Sequence, residues 1–269
     1  MKGRNNYSLV LDFLLVTASG ASAFAQSPSA QFLERVASNV AEQQRSIPDF
    51  VANEDVTVQE LENGKHIHEK HIVSQFQAVH NEAKGKFGEQ RQVLSATEDG
   101  KPLNRTGYVL PLGVRGGFAD DASKYFGKAN MVCFDIDTIR QDQMRGRNVT
   151  VVAIRRKKSS LADSACSAAY KIDATAWVDA ETLRILRLEL GQMKEREYNG
   201  PFSRANGVFD YAPAIDYGEA QIAGRSYWVP IEKRVDFVKE DGKVTFKYVV
   251  QYSQFHKFAS TASIIDNGK

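Results

Sequence analysis

The sequence predicts an α+β protein whose main element is a curved antiparallel β-sheet, an incomplete barrel of about ten strands. Near the N-terminus there is one amphipathic helix pattern, and beyond Pro48 the apolar period changes from about 3.6 to about 2 residues. The later segments are joined mainly by tight turns. Parallel strands would need long crossover connections, so short turns favour an antiparallel meander.

Residues 1–25 have the features of a secretory signal peptide. Lys2 and Arg4 precede the apolar run LVLDFLLV, and the segment ends in the small-residue pattern AFA. This pattern is typical of a signal-peptidase site, so we predict cleavage before Gln26. We expect one domain over residues 26–269, no later membrane span, and a periplasmic or secreted location, with a retained N-terminal anchor as the alternative.

The helix pattern covers residues 29–46, and Pro48 lies just beyond its end. Its apolar stripe consists of Phe32, Leu33, Val36 and Val40. Three strands follow, in VANEDVTVQEL, HIHEKHIVSQFQAV and EQRQVLSATEDGKPL, with Asn63-Gly64 and Asp99-Gly100 as turn signals.

Residues 103–130 interrupt this rhythm with five glycines and one proline. We predict a long loop that carries a helical turn around residues 119–126. Long loops in compact domains are often functional, so we interpret this segment as a short helical lid.

Strand patterns resume in CFDIDTIRQDQM, NVTVVAIRRK and KIDATAWV. Two more surround Ala223-Gly224, and a last long strand follows Asp241-Gly242. The segment QMKEREYNGPFSRANG, residues 192–207, precedes these last strands and is predicted to be a polar connection.

The stretch WVDAETLRILRLEL, residues 177–190, fits two structures. Asp179 could cap a short amphipathic helix, or residues 179–182 could form the turn of a hairpin. The strand that precedes it favours the hairpin. In that arrangement the consecutive pair Ile185-Leu186 requires a β-bulge.

The charge balance argues against a nucleic-acid partner. The formal net charge is +2, and the first 25 residues carry one unit of it through Lys2, Arg4 and Asp12. We interpret the basic run RRKK at residues 155–158 as the solvated end of a strand, with an anionic-ligand patch as the alternative.

Cys133 and Cys166 are the two cysteines of the chain. In an exported protein an even pair predicts a disulfide, and two unpaired thiols are the alternative.

Several phrases together resemble a known family. They are SIPDFVANEDV, AWVDAETLRILRLEL, AIDYGEAQIAGRSYWVPIE and VQYSQFHKF, with Trp177, Asp179, Thr182 and Arg187 in the hairpin phrase. The chain resembles a group of secreted bacterial proteins and, more distantly, the outer-membrane lipoprotein carrier (LolA/RseB-like) superfamily. The resemblance implies an incomplete antiparallel barrel whose apolar concave face is covered by helices and holds acyl chains.

No catalytic residue, metal site or cofactor is predicted. The sequence contains no Gly-x-Ser-x-Gly and no His-Glu-x-x-His motif. His66 and His68 are expected on one face of their strand and His71 on the other, which disfavours a three-histidine site.

The preferred hypothesis is a non-catalytic cell-envelope protein that binds an apolar or amphipathic ligand, such as a lipid or a lipoprotein acyl chain. The ligand would lie between the sheet, the 29–46 helix and the 103–130 lid. The predicted lining residues are Phe32, Val36, Val40, Phe118, Tyr125, Phe126, Trp177 and Trp228. The alternative is a periplasmic protein-interaction or sensor module of the same fold with a filled interior, and a hydrolase ranks third.

Overall fold

The computed structural model describes residues 27–81, 86–103, 118, 121–161, 164–167, 169–199, 202 and 206–258. The predicted signal segment and its cleavage site lie outside the described residues, as do residues 104–117 and 119–120 of the predicted lid.

Three α-helices lie within the described residues: α1 (Ala30–Ser46), α2 (Asp121–Phe126) and α3 (Lys128–Met131). Helix α1 begins where Ser29 Oγ accepts a hydrogen bond from the Phe32 N–H at 3.1 Å, a typical N-cap. It ends at Ser46, two residues before Pro48, as predicted. In the described part of the chain, none of the helices is both long enough and apolar enough to cross a membrane.

Twelve strands form one antiparallel sheet in the described residues. They are β1 (Phe50–Glu62), β2 (Lys65–Asn81), β3 (Lys86–Glu98), β4 (Lys101–Pro102), β5 (Phe134–Met144), β6 (Arg147–Arg156), β7 (Ala174–Asp179), β8 (Ile185–Leu190), β9 (Met193–Asn199), β10 (Asn206–Ile222), β11 (Arg225–Lys239) and β12 (Val244–Lys257). The order across the sheet is β4-β3-β2-β1-β12-β11-β10-β8-β7-β6-β5, with β9 beside β10. The two ends of this order are not paired with each other, so the predicted class, an α+β protein with an incomplete antiparallel barrel, is confirmed.

Four hairpin turns have both central residues in the left-handed region, the geometry of type I′ turns that suits the twist of the flanking strands. They are Asn63-Gly64, Asp99-Gly100, Arg145-Gly146 and Ala223-Gly224.

The ambiguous segment 177–190 is a hairpin, as predicted. The Asp179 carboxylate accepts hydrogen bonds from the N–H groups of Glu181 (3.0 Å) and Thr182 (2.6 Å), which fixes the turn between β7 and β8. The pairing of β7 with β8 shifts so that Leu186 is an extra residue, which confirms the expected bulge.

One expected connection is instead a strand. Residues 193–199 form β9, which pairs with the first part of β10. The sequence hides this strand because charged residues occupy consecutive positions, so no apolar alternation marks it. Its exposed Lys194 lies 3.8 Å from Asp210 and 3.5 Å from Glu240.

The predicted disulfide between Cys133 and Cys166 is confirmed, with a Cα–Cα distance of 5.9 Å. Both cysteines are buried. The bond joins the chain just after α3 to a short 3-10 turn, Ser164–Cys166, in the connection from β6 to β7.

Candidate ligand-binding site

Helices α1 and α2 pack on one face of the sheet, which we call the inner face. Val36 and Val40 of α1 and Tyr125 and Phe126 of α2 are buried in one apolar cluster. The cluster also contains strand residues such as Ile154, Leu188, Ile215 and Tyr217, and the partly buried Phe32 packs against it. Five of the predicted lining residues therefore lie together where these two helices meet the sheet.

Phe118, the described residue that precedes α2, packs in a second cluster over β1, β2 and β12. Its ring centroid lies 5.4 Å from that of Phe50, 5.1 Å from Phe76 and 4.9 Å from Tyr252. Such spacings are typical of packed aromatic rings.

The space between the two clusters is small. The cavity there has a volume of about 10 Å³ and is lined by Phe118, Asp121, Ile215, Pro230, Lys233 and Tyr252. A volume of this size is about that needed for one water molecule. Side chains therefore fill this part of the inner face.

A buried ion pair fastens α2 to the sheet. The carboxylate of Asp121, which is 4% exposed, lies 3.6 Å from the ammonium of Lys233 on β11 and accepts a hydrogen bond from the Tyr170 hydroxyl. Burial raises the pKa of Asp121, and the positive charge of Lys233 opposes that rise. Burial also raises the pKa of Tyr170, as does the neighbouring Asp121.

A second buried ion pair lies beside Phe118. The Arg91 Nε–H group lies 2.9 Å from both oxygens of the fully buried Glu54, and Arg91 also contacts Glu89 at 3.1 Å. Burial raises the pKa of Glu54, although Arg91 opposes this effect. Glu89 in turn accepts the Phe118 N–H at 2.8 Å. The inner face is therefore less uniformly apolar than the resemblance implies. Buried charged groups contact both described parts of the predicted lid, Phe118 and helix α2.

An open groove lies between α1 and α3, and its volume is about 580 Å³. It is lined by Ala30, Leu33, Glu34, Ala37, Ser38, Ala41, Lys128 and Met131. The α1 positions are spaced by three or four residues, so they share one helix face. The three alanines leave space that larger side chains would fill, while Leu33 and Met131 supply larger apolar surface.

The two tryptophans lie apart from this groove. Trp177 packs with Val149, Val151 and Leu186 in a small cluster on the outer face of the sheet. Trp228 contacts this cluster and the one beneath the helices, and its indole N–H donates to the Ile185 carbonyl at 2.9 Å. The structure thus divides the eight predicted residues among three apolar clusters.

The outer face also carries a buried carboxylate. Asp216 is 1% exposed. Its carboxylate lies 2.8 Å from the guanidinium of Arg145, accepts hydrogen bonds from Arg187 at 2.8 and 3.0 Å, and is in direct contact with Arg234. Burial alone would raise the pKa of Asp216. The hydrogen bonds from Arg187 and Arg234 outweigh this effect and hold the pKa below its usual value. This cluster joins β8, β10, β11 and the β5–β6 turn.

The histidines of β2 differ from the expected arrangement. His66 pairs with Leu61 and His68 with Glu60, with a register shift between the two pairs. Adjacent residues of β1 point to opposite faces, so the prediction that His66 and His68 share a face is wrong. Among the described residues, no group of three His, Cys, Asp or Glu side chains is close enough to hold a metal ion.

Apart from Leu33, which belongs to the predicted apolar stripe, the groove residues of α1 and α3 were not among the predicted site residues. The predicted site consists mainly of large side chains, whereas this groove exists because the residues on its α1 face are small. The spacing of Ala30, Ala37 and Ala41 is the signal that could have indicated it.

No family model matches the chain, and the search of curated proteins gives no match. Among solved structures, the chain is similar to one named as an outer membrane lipoprotein-sorting protein domain from Vibrio parahaemolyticus, with 11% identity, 86% of this chain and 94% of that chain covered, and a TM-score of 0.42. A DUF1329 family protein from Desulfovibrio piger has 9% identity, coverages of 86% and 95%, and a TM-score of 0.40. A LolA superfamily protein from Nitrosomonas europaea has 12% identity, coverages of 85% and 94%, and a TM-score of 0.34. The chain is distantly similar in structure to lipoprotein-sorting and LolA-superfamily proteins, the resemblance that its sequence predicts.

Proposed function

We propose that this protein is an exported, non-catalytic cell-envelope protein that binds an apolar or amphipathic ligand, such as a lipid or a lipoprotein acyl chain. The observation that carries the proposal is the groove between α1 and α3. Its volume of about 580 Å³ lies within the range of small-molecule sites in proteins.

The chemistry of the groove suits an amphipathic ligand. Alanines, Leu33 and Met131 offer an apolar surface, and methionine adapts readily to irregular ligands. Glu34 and Lys128 are the two charged groups of the lining, and both are exposed. An apolar chain could therefore lie along the floor while a polar end stays near the charged side chains and water.

The proposed export rests on the signal-like N-terminal segment. The buried disulfide between Cys133 and Cys166 supports it, because such bonds persist in oxidising compartments. The non-catalytic role rests on the absence of catalytic motifs from the sequence.

The predicted lining residues of the inner face have a secondary place in this proposal. Val36 and Val40 lie on the buried side of the helix that lines the groove, and the half-buried Phe32 packs against the same apolar cluster as they do. Tyr125 and Phe126 could contact a ligand only if α2 moved, which would break the contacts of Asp121 with Lys233 and Tyr170.

A second candidate function is a protein-interaction or sensor module. The filled space between α2 and the sheet favours it, because a cavity of about 10 Å³ holds no acyl chain. Under this alternative the groove would accept a partner's side chains instead of a lipid.

A binding experiment separates the two. We expect native mass spectrometry of protein purified from a bacterial periplasm to detect bound lipid, and the delipidated protein to bind a fluorescent fatty acid. The variant Ala41→Trp places a large ring in the groove and should weaken this binding about tenfold or more, a change of about 1.4 kcal/mol.

The matched control is Arg35→Trp, which places the same ring on an exposed position of α1 that does not line the groove. Its affinity for the fatty acid should equal that of the unmodified protein. Absence of bound lipid together with no binding of the probe would contradict the proposal and leave the interaction module as the better account.

A further inference from the structure

We infer that a second pocket, separate from the groove between α1 and α3, binds a sugar residue. This polar pocket lies between the C-terminal half of α1, the residue before β8 and the start of β11, and its volume is about 90 Å³. A sugar bound there would be a second ligand, distinct in place and in chemistry from the apolar or amphipathic one proposed for the groove.

The polar pocket and the groove lie on opposite sides of α1. Asn39 and Gln43 line the polar pocket, whereas Ala37 and Ala41 line the groove. Each of the two polar residues is two positions from one of the alanines, which is a rotation of about 200° around the helix. The body of α1 therefore separates the two sites.

Direct contacts hold the walls of the polar pocket together. The side-chain amide of Asn39 donates to the carbonyls of Thr182 and Leu183 at 2.9 and 3.0 Å, which ties α1 to the turn between β7 and β8. The next residue, Arg184, places its guanidinium 5.3 Å from the ring centre of Trp228 on β11. Helix, turn and strand thus meet at this pocket through specific interactions.

Several polar groups of the lining are left for a ligand. In the part of the chain that the structure describes, the Gln43 amide, the Tyr227 hydroxyl and the Asn39 side-chain oxygen have no hydrogen-bond partner. The guanidinium of Arg184 has neither a hydrogen bond nor an ion pair there. Gln43, Asn39 and Tyr227 are half-buried. Polar groups removed from water are normally hydrogen-bonded, so their convergence on one pocket indicates a polar ligand.

The mixture of donors and acceptors indicates hydroxyl groups. Arg184 and Tyr227 offer donors, Asn39 and Glu42 offer acceptors, and the Gln43 amide offers both. A hydroxyl group also donates and accepts, so a ligand rich in hydroxyls satisfies both kinds of partner. Arg184 attracts anions and Glu42 repels them, so the charges of the lining favour a neutral ligand over an ion.

The size and the aromatic surface of the polar pocket fit one sugar ring. The half-buried Tyr227 and Trp228 supply apolar surface against which the C–H groups of a sugar ring can pack. An enclosed cavity of about 150 Å³ holds the six-membered ring of benzene. A pocket of about 90 Å³ with exposed residues in its rim therefore accommodates most of one ring, while the remainder of a longer saccharide stays in solvent.

Nuclear magnetic resonance of the backbone amides during titration tests the inference on the purified protein. The probes are glucose, galactose, mannose and N-acetylglucosamine, with sodium acetate and methylammonium chloride as charged comparison ligands at the same ionic strength. We expect at least one sugar to shift the signals of Asn39, Gln43 and Tyr227 with half-saturation at millimolar concentration. The charged ligands should leave these signals unchanged.

Two variants remove polar groups while they keep the shape of the lining. Gln43→Leu and Tyr227→Phe should each weaken sugar binding about fivefold, the effect of one lost hydrogen bond. The matched controls are Gln31→Leu, at an exposed position of α1 that lines neither site, and Tyr211→Phe, at another half-buried tyrosine. Both controls should bind the sugar like the unmodified protein, and circular dichroism should establish that every variant is folded.

The inference fails if none of the four sugars shifts these signals, if acetate or methylammonium shifts them equally, or if the control variants lose as much affinity as Gln43→Leu and Tyr227→Phe. An equal response to acetate would assign the pocket to anions instead. The groove is tested separately, because Gln43→Leu should bind the fluorescent fatty acid like the unmodified protein.

Discussion

The carboxylate of Asp216 offers the sharpest test of how the sheet is held together. The substitution Asp216→Asn keeps the size and shape of the side chain but removes the charge that three arginines share. Breaking a buried ion pair costs about 3 to 5 kcal/mol, and a hydrogen bond to a charged group contributes about 1.5 to 3 kcal/mol. The arginine side chains remain 24% to 43% exposed, so water compensates them in part. We therefore expect a loss of about 2 to 3 kcal/mol in the free energy of unfolding.

Urea unfolding followed by circular dichroism measures this loss, with Asp236→Asn as the control. Asp236 lies on the same strand as Arg234 but is exposed, and its substitution should have little effect. The pKa of Asp216 is lowered in the folded protein, so its contribution is present above the unfolded pKa and is lost as the pH falls through the folded pKa. The difference between the unmodified protein and Asp216→Asn should therefore shrink in acid. Equal stability of the two asparagine variants, or a difference that does not change with pH, would refute this reasoning.

Three other predictions concern stability. Replacing both Cys133 and Cys166 by alanine should lower the free energy of unfolding by about 3 to 4 kcal/mol in the chain-entropy model, and an unchanged melting temperature would contradict this. The variant Asp179→Ala removes the acceptor of the Glu181 and Thr182 N–H groups and should cost about 1 to 2 kcal/mol, measured by urea unfolding, whereas a loss no larger than that of Ala180→Gly would speak against this role. Burial raises the pKa of Asp121, so its protonation favours folding below the unfolded pKa and this contribution is lost as the pH rises through the folded pKa. Asp121→Asn should remove that part of the pH dependence of unfolding, and an identical pH profile would count against it.

The sheet was largely predictable because its signals are local. Turn residues such as Asn63-Gly64 have few alternatives to a tight hairpin, and the Asp179 turn fixes its own N–H groups. Strand β9 was not predictable in this way, because its consecutive charged residues leave no apolar alternation, although it pairs with β10, the strand that follows it.

The candidate site was less predictable than the fold. Val36, Val40, Tyr125 and Phe126 lie in one apolar cluster, and periodicity indicates which side of a helix is buried. Periodicity does not indicate whether buried aromatic rings pack together or leave a cavity. The groove depends on the distance between α1 and α3, and the disulfide at Cys133 helps to set the position of α3.

If an amphipathic ligand lies in the groove between α1 and α3, as we propose, nuclear magnetic resonance of the backbone amides during titration with a fatty acid will detect it most directly. We expect the shifted signals to concentrate at Ala37 and Ala41 of α1 and at Met131 of α3. Shifts centred instead on Phe118 and Tyr125, or no shifts at any concentration of ligand, would contradict it.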